Sequence, residues 1–439
     1  MKSFICVAAL ALAVAGGAHA ADWPMFMADA HRTGAAADPA PPPEAMRGLH
    51  AAWSLDLPTS ISASPVAAGG LIYIAGDNGD LYAFDLATRK RLWLYHAEGG
   101  LASTPAVAGG RLFVLSRDGY VHALDARTGA LIWRFATGGE ARYAQVGGYG
   151  VAKAMGPVPD PWDFWLSSPL VQDGKVYVGS SDGHMYALDA NDGAKLWAYD
   201  AGAPIHGAPA LSGGRLAFGT LDTQVIALDA ATGTKLWSFK GGVDPQYGIL
   251  VGVPAAPTFD GDALYIGTRD AHLYAFDAAT GKPRWTYDAK GSWVLTTAAV
   301  DASSLYFATS DTGLFVAADK ATGAERYRVT TGVWTYASPV LIGGRYVAFG
   351  TMDGVLEVID KATGAPVWRW QSPEGQADAD RLIGADGKFD SKILFAPDQQ
   401  VQGAVEKVKA LGAFVASPIW VDGQLIAADA NGHVRAFAP

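Results

Sequence analysis

The stretch "ALDAATGTKLW", residues 227–237, recurs along the chain at a fixed internal spacing. An aromatic residue stands eight positions after the aspartate in every copy, although Arg89 replaces the glycine in the first copy and Tyr327 replaces the tryptophan in the sixth. Repetition this regular indicates a repeat architecture. The other copies are "AFDLATRKRLW" (83–93), "ALDARTGALIW" (123–133), "ALDANDGAKLW" (187–197), "AFDAATGKPRW" (275–285), "AADKATGAERY" (317–327) and "VIDKATGAPVW" (358–368).

Each phrase lies in a unit of about four short strands, because turn residues separate runs of β-forming residues. The aspartate is expected to accept backbone N–H groups in the next turn, and the glycine to supply a positive φ. One such sheet cannot bury both of its faces, whereas a tryptophan buries roughly 150–250 Å² against a neighbouring sheet. Radial stacking of the units into a β-propeller satisfies these requirements.

Eight units are predicted from residues that mark the start of each innermost strand: Pro65, Pro105, Pro169, Pro209, Pro257, Ala298, Pro339 and Pro418. The eighth unit ends at "VRAFAP" (434–439) without a fourth strand, and "HAAWSLDL" (50–57) has a tryptophan strand without a unit. We therefore predict an all-β, eight-bladed propeller of four-stranded antiparallel blades, closed by the N-terminal strand. The predicted docking residues between blades are Trp53, Trp93, Trp133, Trp197, Trp237, Trp285, Tyr327 and Trp368.

Residues 1–20 are typical of an export signal, with Lys2 before the apolar residues 4–15 and Ala18-His19-Ala20 at the cleavage position. Cys6, the single cysteine, precedes most of the apolar stretch, so it does not stand where a lipid acceptor would. We expect cleavage after Ala20 and release into the periplasm without a lipid. Residues 21–49 form a lead-in, and residues 50–439 form the propeller.

The formal net charge of −10 and the scattered Lys and Arg residues argue against nucleic acid or an anionic membrane as the partner. No segment after the signal is apolar over the length that a transmembrane helix needs. We expect a monomer. Half of the residues are hydrophobic and 17% are charged, which favours a folded, globular chain.

Two insertions, residues 138–164 and 372–412, interrupt the regular spacing of the units. Each lies between the fourth strand of one blade and the first strand of the next, and all such connections cross one face of a propeller. The insertions are therefore expected to cap one mouth of the central channel. Val401, Val405, Val408 and Leu411 have helical spacing within the second insertion.

The connections on this capped face carry the candidate binding residues. One interpretation is an aromatic-lined surface for a planar or carbohydrate-like ligand or a protein partner. The other is that the aromatic residues only plug the channel and pack the cap. We assign no catalytic residue and no metal site. The candidates are Arg142, Trp162, Trp165, His206, Tyr247, Trp293 and Trp334.

The phrase A-x-D-x-x-T-G-x-x-x-W resembles the tryptophan-docking motif of the PQQ-like propeller repeats. This family includes quinoprotein alcohol dehydrogenases and BamB, the propeller of outer-membrane barrel assembly. "DWPMFMADAHRTG" (22–34) is similar to the lead-in that often precedes such propellers. The resemblance spans the chain after the signal and implies the fold, but the family holds both enzymes and scaffolds.

A quinoprotein dehydrogenase would imply PQQ stacked on an indole over calcium, a catalytic carboxylate and often a disulfide. The chain after residue 20 has no cysteine, and its asparagines, Asn78, Asn191 and Asn431, lie in hairpin turns. We therefore favour a non-catalytic scaffold, or an accessory protein of a periplasmic system, without a resident cofactor. The alternative is a PQQ- and Ca²⁺-dependent alcohol or polyol dehydrogenase.

Overall fold

Eight four-stranded antiparallel blades surround a central channel in the computed structural model, which describes residues 22–146, 153–244, 252–395 and 401–439. The predicted signal, residues 1–20, lies outside these described residues. The first strands of successive blades contact one another, so the first strand of each blade lines the channel. The predicted eight-bladed propeller is confirmed. In the described residues, no helix is long and apolar enough to cross a bilayer.

Three elements precede the first complete blade, and each blade then runs from the channel outwards. The preceding elements are β1 (Ala35–Pro39), α1 (Pro43–Arg47) and β2 (His50–Asp56). Blade 1 contains β3 (Val66–Ala68), β4 (Leu71–Ala75), β5 (Asp80–Asp85) and β6 (Arg91–His96). Blade 2 contains β7 (Ala106–Ala108), β8 (Arg111–Ser116), β9 (Tyr120–Asp125) and β10 (Leu131–Ala136).

Blades 3 to 5 follow the same plan after a short hairpin of β11 (Ala144–Val146) and β12 (Pro157–Pro159). Blade 3 contains β13 (Leu170–Gln172), β14 (Lys175–Gly179), β15 (His184–Asp189) and β16 (Lys195–Asp200). Blade 4 contains β17 (Ala210–Ser212), β18 (Arg215–Gly219), β19 (Gln224–Asp229) and β20 (Lys235–Lys240). Blade 5 contains β21 (Thr258–Asp260), β22 (Ala263–Gly267), β23 (His272–Asp277) and β24 (Pro283–Asp288).

The last three blades include the point where the ring closes. Blade 6 contains β25 (Ala299–Val300), β26 (Ser304–Ala308), β27 (Leu314–Asp319) and β28 (Glu325–Thr330). Blade 7 contains β29 (Val340–Gly343), β30 (Tyr346–Gly350), β31 (Val355–Asp360) and β32 (Pro366–Gln371). Blade 8 contains β33 (Ile419–Val421), β34 (Gln424–Ala428), β35 (His433–Ala438) and, as its outer strand, β2.

Closure by the N-terminal strand is confirmed by the pairing of β2 with β35. The two strands are antiparallel, with Trp53 opposite Ala436. This register matches that of the other blades, in which Trp93, for example, lies opposite Ala83. The first and last parts of the chain therefore share one sheet, which removes the free edge that blade 8 would otherwise expose.

At six of the eight junctions, neighbouring blades are joined by a contact between one aromatic ring and one glycine. Trp133 of blade 2 donates its indole N–H to the carbonyl of Ala190 in blade 3 at 3.2 Å. Its ring lies over Gly193, where a Cβ atom would fall 2.7 Å from Cδ2 of the indole. The same glycine has a φ of +75° and ends a turn that Asp189 stabilises through the N–H of Asn191. The glycine of the phrase thus serves both the turn and the docking of the preceding blade.

Trp53 departs from this pattern at the closure. Its indole N–H donates to Oε1 of Gln424 in its own blade, at 2.8 Å, and its ring is half-buried. The blade that it faces carries Arg89 where the other phrases carry glycine, and Arg89 itself has a φ of +61°. The side chain of Arg89 occupies the position that receives the tryptophan ring at other junctions. The missing glycine and the different hydrogen bond of Trp53 are therefore linked.

The lead-in seals the mouth of the channel opposite the cap by pairing with exposed strand edges. Its carbonyl groups accept hydrogen bonds from backbone N–H groups of the inner strands of six blades, at Ala67, Val107, Leu211, Phe259, Val300 and Leu341. Arg32 is fully buried and donates to the carbonyl of Pro169, before the inner strand of blade 3, and to that of Pro209, before the inner strand of blade 4. The lead-in therefore supplies partners to inner edges that would otherwise be orphaned.

We predict that the docking glycines are more sensitive to substitution than turn glycines with the same backbone conformation. Gly174, also in blade 3, has a φ of +72° and no atom within 4 Å of an added Cβ. Gly174→Ala should cost roughly 1–2 kcal/mol through left-handed strain. Gly193→Ala should cost roughly 1–3 kcal/mol more because it overpacks the indole of Trp133. Urea denaturation measures both, and equal losses, or an excess that persists in a Trp133→Ala background, would contradict the docking role.

Candidate functional site

The two insertions meet over one mouth of the channel and form a shared cap. The first contains the hairpin of β11 and β12 and a single 3₁₀ turn (Lys153–Met155). The second contains α2 (Pro373–Ala377), α3 (Ser391–Leu394) and α4 (Val401–Ala410). Helix α4 confirms the helix expected from the valine spacing, and Val405 and Val408 are buried. The described parts of both insertions share one hydrophobic cluster.

Four candidate tryptophans lie within this cap, where they pack against each other and against the insertions. The rings of Trp162 and Trp334 are perpendicular, with centroids 4.9 Å apart, and Phe389 of the second insertion lies 4.6 Å from Trp334. Trp293 is 5% exposed, and half-buried Trp165 donates to the carbonyl of Ser62. Trp162, Trp293 and Trp334 belong to the buried hydrophobic core of the cap, and Trp165 packs against this core while partly exposed.

The other three candidates lie apart from this core. His206 is buried beside it in a polar network, and Arg142 is exposed beside a charged pocket. Tyr247 falls outside the described residues. The proposed binding role of these candidates stays a prediction, and burial of the tryptophans means that contact with a partner would use the outer surface of the cap.

A ring of hydroxyl groups encircles the channel beneath the aromatic core. In six of the eight blades, the residue before the inner-strand marker carries a hydroxyl, which accepts the backbone N–H of its counterpart in the preceding blade at 2.9–3.2 Å. Ala208 and Ala256 occupy the two remaining positions. These hydrogen bonds connect inner strands that do not pair directly, so they hold the channel at a fixed, narrow width.

The channel leaves little room for a cofactor. Phe26 of the lead-in lies below its cavity, and Trp165, Leu295 and Tyr336 lie above, which leaves about 40 Å³. Pockets for drug-sized ligands measure roughly 300–1,000 Å³. Among the described residues, no group of three His, Cys, Asp or Glu side chains is placed to hold a metal ion. The space that the described residues leave in the channel is too small for a tricyclic quinone, and we derive no chemical step through PQQ.

His206 lies in a chain of hydrogen bonds that joins two carboxylates. Its Nδ1 is 2.7 Å from Oδ1 of Asp163, and its Nε2 is 2.8 Å from the hydroxyl of Ser181. That hydroxyl also lies 2.8 Å from Oε2 of Glu140, and the backbone N–H of Tyr143 donates to Asp163. The order carboxylate, imidazole, hydroxyl is the one that activates serine nucleophiles. Here a second carboxylate binds the hydroxyl, and the network fastens the first insertion to blade 3 and to the connection that follows it.

The two carboxylates of this network have opposite pKa shifts. Burial raises the pKa of Glu140, although its hydrogen bonds to Ser180 and Ser181 oppose the effect. Burial also disfavours the Asp163 carboxylate, but His206, the N–H of Tyr143 and the charge of Arg117 outweigh it, so the pKa of Asp163 lies below its ordinary value. Asp163 is therefore the ionised member that the surrounding donors stabilise.

Several polar residues of this face share one repeat position, which sequence reasoning missed. This position lies eight residues before the aspartate of the repeated phrase, in the turn between the second and third strands of each blade. Its side chain faces the cap. Arg269, at this position in blade 5, is buried in an ion pair with Asp160 at 2.5 Å and lies over the ring of Trp293. We call this set the mouth ring: Asp77, Arg117, Ser181, Leu221, Arg269, Asp311, Met352 and Ala430.

Comparison with known proteins supports both the repeat and the fold. The model of the family described as outer membrane protein assembly factor BamB matches residues 50–152, 117–292 and 269–405. No curated protein sequence matches at a significant level.

Solved structures give the same architecture. BamB from Moraxella catarrhalis is 21% identical with a TM-score of 0.63, covering 89% of this chain and all of that one. A europium-containing methanol dehydrogenase is 15% identical with a TM-score of 0.70, covering 95% of this chain and 98% of that one. The quinohemoprotein alcohol dehydrogenase from Comamonas testosteroni is 15% identical with a TM-score of 0.69, covering 95% and 80%. At these identities the structural likeness establishes the fold alone.

We predict that Asp163→Asn weakens the attachment of the cap. The substitution should cost roughly 1.5–3 kcal/mol at neutral pH, the usual value of hydrogen bonds to a charged group. Because the folded-state pKa of Asp163 is lowered, its contribution is present above the unfolded value of about 4 and is lost as pH falls through the folded value. The difference between wild type and variant should therefore shrink in acid. Urea denaturation from pH 7 to 3 measures it, with exposed Asp380→Asn as the control, and a difference independent of pH would refute the assignment.

Proposed function

The chain belongs to the family of the outer membrane protein assembly factor BamB, and we propose that it acts as a non-catalytic binding scaffold in assembly of the outer membrane. The family match over residues 50–405 supports this role. Export through residues 1–20 and action in the periplasm are part of the proposal. The partner is a protein that contacts the capped face.

The observation that carries the proposal is closure of the channel from both sides. The lead-in occupies one mouth, the aromatic core of the cap fills the other, and about 40 Å³ remains between them. An interior this small favours function through an outer surface. A propeller offers such a surface on a rigid frame, which reduces the entropy lost when a partner binds.

The capped face has exposed apolar side chains suited to a protein partner. Met155 and Val146 of the first insertion are 76% and 50% exposed, and Val243, in the connection after blade 4, is 59% exposed. Exposed apolar residues that share one face are typical of interaction sites. The outer strands of blades 1 to 4 also expose apolar residues, such as Leu94 and Leu236, which offer a matched set away from the cap.

We predict that Met155→Asp with Val243→Asp abolishes function without unfolding the propeller. Cells lacking the native gene and carrying this double variant should have the reduced outer-membrane β-barrel content of the deletion. Surface substitutions of this kind change stability by roughly 0.5 kcal/mol or less, so the thermal transition should stay unchanged. The rim control, Leu94→Asp with Leu236→Asp, should restore barrel content. Loss of function in the rim control alone would place the partner on the outer strands instead.

The dehydrogenase alternative has a separate test. Purified protein with added PQQ and Ca²⁺ should reduce an artificial electron acceptor at background rate over alcohols, aldoses and polyols. Titration with PQQ should leave tryptophan fluorescence unquenched beyond the optical effect of the free quinone, since the channel has no space beside its indoles. A substrate-dependent rate that requires both PQQ and Ca²⁺ would overturn the scaffold proposal.

A further inference from the structure

A charged pocket of about 160 Å³ opens on the capped face beside the aromatic core. Its cationic side chains come from three separate parts of the chain: Arg117 from the mouth ring, Arg142 from the first insertion and Lys409 from α4. Asp77 of the mouth ring is the carboxylate among the lining residues. The pocket is thus positive on a chain whose formal net charge is −10.

The charged groups of this pocket are incompletely satisfied within the described part of the chain. Nη1 of Arg117 and Oδ1 of Asp77 are both buried without a hydrogen-bond partner. Lys409 has an ion pair with Glu406 that is long, at 3.9 Å, and its side chain is only 15% exposed. Three cations therefore line one space whose described lining contains one carboxylate, Asp77, while Asp163 and Glu140 act on Arg117 from outside that lining.

Burial shifts the pKa values of two titratable groups that line the pocket, Arg117 and Asp77. Burial lowers the pKa of Arg117 below its ordinary value; Asp163 opposes this effect, and the like charge of Arg142 adds to it. Burial raises the pKa of Asp77, although Lys409 and the hydroxyl of Ser62 oppose the shift. An added negative charge would relieve the repulsion between the two arginines.

We propose that this pocket binds a small oxyanion, a carboxylate or phosphate group, through Arg117, Arg142 and Lys409. A guanidinium group presents paired donors that match the oxygen atoms of either anion, and a lysine adds a mobile point charge. Both insertions contribute to the pocket, so a bound anion would bridge them. This inference is independent of the proposed scaffold role, because it concerns a ligand and not the protein partner.

Calorimetric titration of the full chain with sodium phosphate and with sodium succinate, at constant ionic strength in chloride, tests the site. Saturable binding is expected, and the tighter of the two anions identifies the preferred group. Arg142→Gln and Lys409→Gln should each weaken binding roughly tenfold, since each removes a charge-assisted hydrogen bond. Lys392→Gln, the same substitution elsewhere on the second insertion, should leave the affinity unchanged.

Asp77→Asn supplies the complementary test because it removes the carboxylate that lines the pocket. An anion should bind several-fold more tightly to this variant, whereas a cation site would lose its ligand and bind more weakly. Circular dichroism melting of each variant verifies folding. The proposal fails if neither anion binds saturably, if all variants bind equally, or if Asp77→Asn weakens binding.

Discussion

The contact between an aromatic ring of one blade and a glycine of the next is the constraint on which this structure depends. A four-stranded sheet has two apolar faces and cannot persist alone, so each blade needs a neighbour at a set distance. The glycine of the phrase turns the chain with a positive φ and leaves space for the ring, while the carbonyl two positions before the threonine-glycine pair accepts the indole N–H in copies such as Trp93 with Ala126. The eleven-residue phrase therefore contains the ring that one blade contributes, and the turn glycine and carbonyl that receive the ring of the preceding blade.

The ring–glycine contact is absent where the N-terminal strand closes the propeller. Arg89 and Trp53 would meet at the junction of blades 1 and 8, and the indole hydrogen-bonds to Gln424 instead. Pairing of β2 with β35 holds both ends of the chain within blade 8, since backbone hydrogen bonds do not depend on the docking contact. The lead-in also forms hydrogen bonds with the inner strands. The propeller is therefore held together both near the channel and at its outer strands.

The repeat that forms the blades also positions polar groups on the capped face. Each blade offers one turn residue to the mouth ring, and these residues differ from blade to blade because the turn itself tolerates many side chains. Ser181 thereby reaches His206, Arg269 reaches Asp160, and Arg117 reaches the charged pocket. The insertions supply the partners of these residues, which explains why the polar networks and the aromatic core occur together under the cap.

The sequence by itself determined the number of blades and the closing strand, because both follow from a short repeat and from the one unit that lacks its fourth strand. From the same repeat we also expected Trp162, Trp165, Trp293 and Trp334 at one mouth. Only the tertiary structure decided that three of these tryptophans are buried and Trp165 is half-buried, that Asp163 and Glu140 flank His206 and Ser181, and that Arg117, Arg142 and Lys409 converge. Such contacts join loops that are distant in the chain and have no periodicity, so their partners depend on how the two insertions fold against each other and on the space that the ring leaves them.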